Sequence, residues 1–124
     1  MNPRMRLRSI ACAASLLPVL GIAACRADHV ETTIENRTGA AIQLLEVDYP
    51  SASFGADRLA SGADFHYRIQ VRGSGEVDIT YTGSGDKQVH LKGPAIADHA
   101  RGSLEIVLLP GGKAEFHPSY TSPN

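Results

Sequence analysis

The sequence predicts an all-β domain, a single antiparallel sandwich of about seven strands. Short alternations of apolar and polar residues recur from His29 onward. Turns containing Gly or Pro separate these alternations about every ten residues. No long segment of helical periodicity follows them, and a chain of 124 residues has the length of one domain, so one sandwich accounts for it.

The first 24 residues predict an export signal that precedes the domain. Arg4, Arg6 and Arg8 supply positive charge with no acidic residue among them, and an apolar run of about a dozen residues follows from Ser9 to Leu20. A helix needs about 20 apolar residues to cross a bilayer, so this run is too short for a permanent span.

The segment Ile22-Ala23-Ala24-Cys25 closes this leader and resembles the lipobox of bacterial lipoproteins. In that family an aliphatic residue and two small residues precede a cysteine. The resemblance implies cleavage between Ala24 and Cys25, and acyl chains such as palmitate on the mature Cys25. Residues 25–28 then form the lipidated N-terminus and a short tether. The alternative is an ordinary secretory leader cut after Ala24 or Ala27, with no lipid on Cys25.

The composition of the mature chain excludes several classes of function. The leader takes three of the 12 Lys and Arg residues and none of the 13 Asp and Glu residues, which leaves a formal charge of −4. Binding to nucleic acid requires a basic patch, and no such cluster follows the leader. Cys12 leaves with the leader and Cys25 carries lipid, so no thiol is available for a disulfide, a metal site or a nucleophile.

The first two strands are predicted over His29 to Asn36 and Ala41 to Tyr49, where apolar residues alternate with polar ones. The turn Asn36-Arg37-Thr38-Gly39 predicts that they form a hairpin. The apolar face changes between Leu44 and Leu45, which predicts a β-bulge.

Pro50 to Ala63 is predicted to be irregular, with Phe54 and Leu59 packed on the core. After it, Phe65 to Val71 and Val77 to Tyr81 alternate cleanly around Gly73-Ser74-Gly75, a pattern typical of a second hairpin.

The rest of the chain predicts three more strands. Lys87 to Lys92 forms the first and stops at Gly93-Pro94, and a connection with at most one helical turn follows to Gly102. Ser103 to Leu109 is apolar on both faces, which predicts a central strand. Lys113 to His117 forms the last strand, and residues 118–124 are predicted to be a flexible tail.

The layout of residues 29–117 is typical of an immunoglobulin-like or transthyretin-like sandwich. The Cys–Trp–Cys framework of true immunoglobulin domains is missing. The strand order and the placement of glycine are similar to those of small uncharacterised bacterial lipoproteins with a prealbumin-like sandwich. This resemblance implies a fold and brings no function with it.

No catalytic motif is present, so the sequence predicts a non-enzymatic protein without a cofactor. The G-x-S-x-G and H-E-x-x-H patterns are absent, and the glycines are explained as turns. His66 and His90 point away from the core, and they would meet on one sheet face if their strands were neighbours. A metal site remains an alternative for the five histidines: His29, His66, His90, His99 and His117.

The sequence thus predicts a membrane-anchored, non-catalytic periplasmic module that binds a protein or an envelope component. Tyr49 and Phe54 flank the irregular stretch and form a candidate partner surface, with core packing as the alternative. Arg26 follows Cys25 where Asp would retain an enterobacterial lipoprotein in the inner membrane, so the outer membrane is favoured. The alternatives are a lipoprotein that binds a small ligand or a metal, and an inhibitor or immunity lipoprotein.

Overall fold

The computed structural model describes residues 28–121, which form eight strands in two four-stranded sheets. No helix in this part of the chain is long and apolar enough to cross a membrane. The strands are β1 (Val30–Asn36), β2 (Ile42–Tyr49), β3 (Ala52–Leu59), β4 (Asp64–Ile69), β5 (Gly75–Thr82), β6 (Gln88–Ile96), β7 (Arg101–Leu109) and β8 (Lys113–Thr121).

The first sheet has the order β4-β1-β7-β8 and the second has the order β3-β2-β5-β6. Neighbouring strands are antiparallel except β1 and β7, which run parallel from the pair Val30 and Gly102 to the pair Asn36 and Leu108. The first sheet is therefore mixed, whereas the sequence predicts a purely antiparallel sandwich. The predicted central position of Ser103–Leu109 is confirmed, because β7 lies between β1 and β8.

Both hairpins predicted from the sequence are wrong. β1 and β2 belong to different sheets, and so do β4 and β5. Alternation along a strand determines which side chains face the core, but it does not identify the strand's partner. β1 pairs with β4 and β7, and its Ile34 lies opposite Phe65 and Ile106. The turns at residues 37–41 and 70–74 consequently cross from one sheet to the other.

The prediction of an irregular Pro50–Ala63 is also wrong, because Ala52–Leu59 forms β3. This strand lies at the edge of its sheet, and only Phe54 and Leu59 bury large apolar side chains in the core. Two apolar anchors over eight residues are too few to produce a visible alternation. The predicted packing of both anchors is confirmed.

The bulge predicted at Leu44 and Leu45 is confirmed. The register between β2 and β5 shifts between Gln43 and Glu46, so two residues of β2 lie where β5 supplies one. Leu44 has φ +51° and turns outward, while Leu45 lies in the core.

Two strands continue past the prolines before which the sequence predicts their end. β6 continues through Pro94 to Ile96, and β8 continues through Pro118 to Thr121, beyond His117 where the sequence ends the domain. Both are edge strands, where a proline can leave one side of the ladder without a donor at little cost. No helical turn forms between β6 and β7.

The core lies between the two sheets, where each large apolar side chain contributes about 1.5–3 kcal/mol by burial. Its fully buried members come from both sheets: Val30, Ile34, Ile42, Val47, Ile69, Val71, Val77, Ile79, Leu104, Ile106 and Leu108.

The register places the loops at two opposite ends of the sandwich. The proximal end contains Asp28 and the loops at residues 50–51, 70–74 and 97–100. The distal end contains the loops at residues 37–41, 60–63, 83–87 and 110–112.

Candidate functional site

Asp28 is bound to the proximal end by two side chains that precede or begin β7. The Nε of Arg101 donates a hydrogen bond to Asp28 Oδ1, and His99 Nδ1 lies 3.0 Å from Asp28 Oδ2. Partial burial alone would raise the pKa of Asp28. The hydrogen bond and charge of Arg101, followed by those of His99, hold the pKa of this carboxyl below its ordinary value.

The loop that carries His99 is fixed to the neighbouring loop at residues 70–74. The backbone N–H of Gly73 donates a hydrogen bond to Asp98 Oδ1 at 2.8 Å. In return, the backbone N–H of Asp98 donates to Ser74 Oγ at 3.1 Å. Arg72 Nη1 lies 2.7 Å from His99 Nδ1. The same nitrogen also faces Asp28. In the tautomer that leaves Nδ1 bare, this atom accepts a hydrogen bond from Arg72, and in the tautomer that carries a proton on Nδ1 it donates one to Asp28.

The distal end is organised around the fully buried Asn36 at the end of β1. Its Nδ2 donates to the carbonyl oxygens of Ala40 at 2.8 Å and Leu59 at 2.9 Å, and Ala60 O lies 3.1 Å away. Its Oδ1 accepts from the backbone N–H of Thr38 at 3.1 Å and lies 2.7 Å from the Thr38 hydroxyl. One neutral side chain therefore connects the loop after β1 to the end of β3.

A cleft of about 170 Å³ opens beside this connection at the distal end. The first loop contributes Thr38, the segment after β5 contributes Ser84 and Lys87, and the loop between β7 and β8 contributes backbone alone at two glycines. The apolar part of the lining comes from strand ends of both sheets and from the first residue of the loop after β7: Ile42, Tyr81, Val89, Leu109 and Pro110. We call this the distal cleft.

The candidate partner residues Tyr49 and Phe54 lie on a flank of the sandwich, where the edge strands β3 and β4 face each other. The Phe54 ring stacks on Tyr67 with centroids 4.5 Å apart, and Phe65 and Tyr49 each lie 6.2 Å from it. Phe54 is only 7% exposed and belongs to the core, and Tyr49 is half-buried. Tyr67, which the sequence places inward, is 44% exposed.

Leu44 is the second large apolar side chain exposed near this flank. It is 65% exposed, and its φ of +51° lies in the left-handed region, which costs a branched aliphatic residue about 1–2 kcal/mol. An open groove of about 360 Å³ beside it is lined by residues of β2 and β3, including Phe54, Gly55 and Asp57. We call the exposed or half-buried Leu44, Tyr49 and Tyr67 the flank surface.

The five histidines do not converge. His66 and His90 lie in different sheets, so the conditional contact between them does not form. His66 Nδ1 lies 3.0 Å from Thr33 Oγ1, and His90 Nε2 lies 3.6 Å from Asp78 Oδ1. His117 Nε2 lies 3.5 Å from Glu115 Oε2 on the same strand. Within residues 28–121, no group of three or more His, Cys, Asp or Glu side chains could hold a metal ion.

The structure brings together residues that sequence reasoning did not single out. Tyr81 meets Lys87 and Val89 at the distal cleft, although the sequence only places Tyr81 in one predicted strand and the other two residues in the next. The flip of parity marked the bulge at Leu44 but not the exposure of its side chain. Ala24 and Cys25, the predicted cleavage and lipidation site, lie outside the described residues.

No family model matches the chain. No curated protein matches it either. Among solved structures, the chain is similar to an NMR structure of a protein from Eubacterium rectale, with a TM-score of 0.56 and 11% sequence identity. The likeness covers 73% of this chain and 87% of that chain. At this identity the likeness supports the fold alone and carries nothing about function.

Proposed function

We propose that this protein is a lipid-anchored, non-catalytic periplasmic module that binds a protein or another envelope component at its flank surface. The observation that carries the binding role is Leu44, which is both exposed and held in a left-handed conformation. The left-handed conformation belongs to the bulge that places Leu45 in the core, but the exposed Leu44 side chain itself contributes little to the core. Strained backbone conformations of this kind cluster at functional sites.

The surroundings of Leu44 favour an extended partner. β3 and β4 are edge strands, which leave backbone groups free to pair with an added strand. Gly55 lines this groove and lets β3 approach the bulge closely, because a Cβ built there would collide with the carbonyl oxygen of Leu45. Glu46 and Asp57 also line the groove, and neither has an ion-pair partner within residues 28–121, so a basic side chain of the partner fits there.

The anchoring role rests on the lipobox resemblance at Ile22–Cys25 and on the position of Asp28. Because Arg101 and His99 hold Asp28 against the domain, only Arg26 and Ala27 separate Cys25 from a fixed point. Three extended residues span about 10 Å. The proximal end would therefore lie close to the bilayer, and Arg26 after Cys25 favours the outer membrane.

The sandwich itself is proposed to be prealbumin-like. In a constant-type immunoglobulin sandwich the first two strands share a sheet. Here β1 and β2 belong to different sheets, which supports the prealbumin-like resemblance over the immunoglobulin-like one.

Site-specific photo-crosslinking at Leu44 in intact envelopes tests the binding role, with the exposed Gln88 on the opposite edge strand as the matched position. We expect a discrete crosslinked species from position 44 only. The identity of the crosslinked partner also distinguishes two roles of this protein. A structural envelope component indicates a binding module, and an enzyme or toxin indicates an inhibitor or immunity protein. Equal labelling from both positions, or none from position 44, would overturn the flank surface as the binding site.

Leu44→Gly separates binding from folding. Glycine adopts positive φ without a steric penalty, so we expect the free energy of unfolding to rise by up to about 1 kcal/mol while partner capture falls. Chemical denaturation and capture of the crosslinked partner measure the two effects. A variant that loses stability along with binding would show that Leu44 serves the fold.

Cys25→Ser tests the anchor, and Cys12→Ser in the leader is its matched control. We expect Cys25→Ser to lose metabolic labelling with palmitate and to leave the membrane fraction or remain unprocessed. Cys12→Ser should behave as the unaltered chain. If Cys25→Ser fractionates with membranes at mature size, the lipoprotein assignment fails.

A further inference from the structure

We propose that the distal cleft binds the carboxylate of a small apolar acid, with the apolar group in the cleft and the carboxylate on Lys87. The same chemistry is offered by a free monocarboxylic acid with a branched or aromatic body and by the C-terminal residue of a peptide. The proposal depends neither on the lipid anchor nor on the flank surface, because the cleft lies at the end of the sandwich remote from Asp28.

The size of the cleft limits the apolar body of the ligand. An apolar cavity of about 150 Å³ accepts benzene, and the distal cleft measures about 170 Å³. Ile42 and Tyr81 form its inner wall and are almost fully buried, whereas Val89 and Leu109 are half-buried. A single isobutyl or phenyl group fills such a space, and a larger ligand would extend out of it.

The charge at the cleft favours one carboxylate. Lys87 lines the opening, is exposed, and pairs with no acidic side chain in the part of the chain that the structure describes. A carboxylate that reaches Lys87 can also accept a hydrogen bond from the Ser84 hydroxyl, which lines the same opening. Asp86 lies between these two residues and repels any negative charge on the ligand, so a single carboxylate in direct contact with Lys87 is favoured over two carboxylates.

The walls of the cleft are held in place before any ligand binds. The backbone N–H of Gly83 donates to Lys87 O at 2.7 Å, which closes the segment that carries Ser84. Asn36 holds Thr38 on the opposite side. A Cβ built on Gly112 would lie 3.6 Å from Val89, so the glycine keeps that part of the opening clear. Pre-formed walls reduce the ordering cost of binding.

The test is a titration of the full chain in detergent, monitored by NMR chemical shifts. The first pair of probes is 4-methylpentanoate and its uncharged amide. The second pair is a tetrapeptide that ends in leucine with either a free or an amidated C-terminus. We expect saturable shifts at Tyr81, Val89 and Gly112 with a Kd of about a millimolar for the acid, and about tenfold weaker binding for the amide.

The two pairs distinguish the sources of the carboxylate. Binding of the free-carboxylate peptide at least as tight as that of 4-methylpentanoate assigns the cleft to a chain terminus, and binding of the small acid alone assigns it to a free acid. No saturable shift from either acid overturns the proposal, as does equal binding of acid and amide in both pairs.

Lys87→Gln and Lys113→Gln form the matched pair of variants, since Lys113 follows Gly112 but does not line the cleft. We expect Lys87→Gln to weaken binding of the acid about tenfold, to the level of the amide, while Lys113→Gln has less than a twofold effect. An equal loss in both variants would indicate general attraction by positive charge and would overturn the role of Lys87.

Discussion

The proximal and distal ends of this sandwich are closed by different kinds of interaction. At the proximal end, charged side chains on three segments meet: Asp28 pairs with Arg101 and His99, and Arg72 approaches the same His99. At the distal end, the neutral and fully buried Asn36 holds two loops through hydrogen bonds to their backbones. The ion pairs are partly solvated, while the distal network is shielded from water.

This difference has an energetic consequence. Solvated ion pairs contribute little to stability and respond to pH and salt. Removal of a buried polar side chain is more costly, because the donors and acceptors that it satisfied remain buried without a hydrogen-bond partner. We therefore expect the distal end to be sensitive to substitution and the proximal end to be sensitive to solution conditions. A distal end held by buried hydrogen bonds also suits a pre-formed cleft.

Asn36→Ala should have the largest effect on stability. It removes the donor for the carbonyl oxygens of Ala40 and Leu59 and the acceptor for Thr38 in a buried site, so we expect a loss of about 3 kcal/mol in the free energy of unfolding. Urea denaturation measures it. The exposed Gln43→Ala on β2 is the control, with a change within about 0.5 kcal/mol. A loss below about 1 kcal/mol for Asn36→Ala would contradict the comparison.

Gly102→Ala sharpens the comparison by showing where the proximal end is rigid. A Cβ at Gly102 would lie 2.1 Å from Ser119 O, and its φ is +133°, so the backbones of β7 and β8 must separate. We expect a loss of about 2 kcal/mol. Gly39→Ala is the matched control at the distal end, with positive φ but nothing within 4 Å, and should cost about 1 kcal/mol. Equal losses would show that backbone separation costs nothing.

Asp28→Asn should have the smallest effect at neutral pH but should change the acid response. Because the folded pKa of Asp28 lies below its unfolded value of about 3.9, its stabilisation is complete above pH 4 and is lost as pH falls through the folded pKa. The unaltered chain should therefore lose stability in that window more steeply than the variant. Denaturation at pH 3 and pH 7 measures the difference, and identical acid responses would contradict the proximal ion pairs.

The sequence predicts strands and their buried faces well because both depend on local alternation. Ser103 to Leu109 is apolar on both faces, which identifies a central strand, and the change of parity between Leu44 and Leu45 identifies the bulge. The pairing of strands cannot be predicted in this way. β1 pairs with the parallel strand β7 about 70 residues later, and no local sequence pattern specifies that partner. The sequence does not predict β3, because this edge strand packs on the core through Phe54 and Leu59 alone and shows no regular alternation.

The candidate sites depend on these non-local pairings and are correspondingly harder to predict. The distal cleft joins Thr38, Lys87 and Gly112 from three separate loops, which only the sheet order brings together. Tyr49 and Phe54 could be selected as aromatic residues beside an apparent loop. Tyr67, which stacks on Phe54, could not be selected in this way, because β3 and β4 meet across the two sheets.

The orientation of the two ends relative to the bilayer is the central claim and is directly measurable. Single cysteines replace Ser119 at the proximal end and Ser61 at the distal end, both exposed, and carry a fluorophore in the lipidated chain reconstituted in liposomes. The ends are about 25 Å apart, the length of an eight-residue strand, so a quencher on lipid headgroups distinguishes them. We predict strong quenching at position 119 and little at position 61, and equal or reversed quenching would contradict the account.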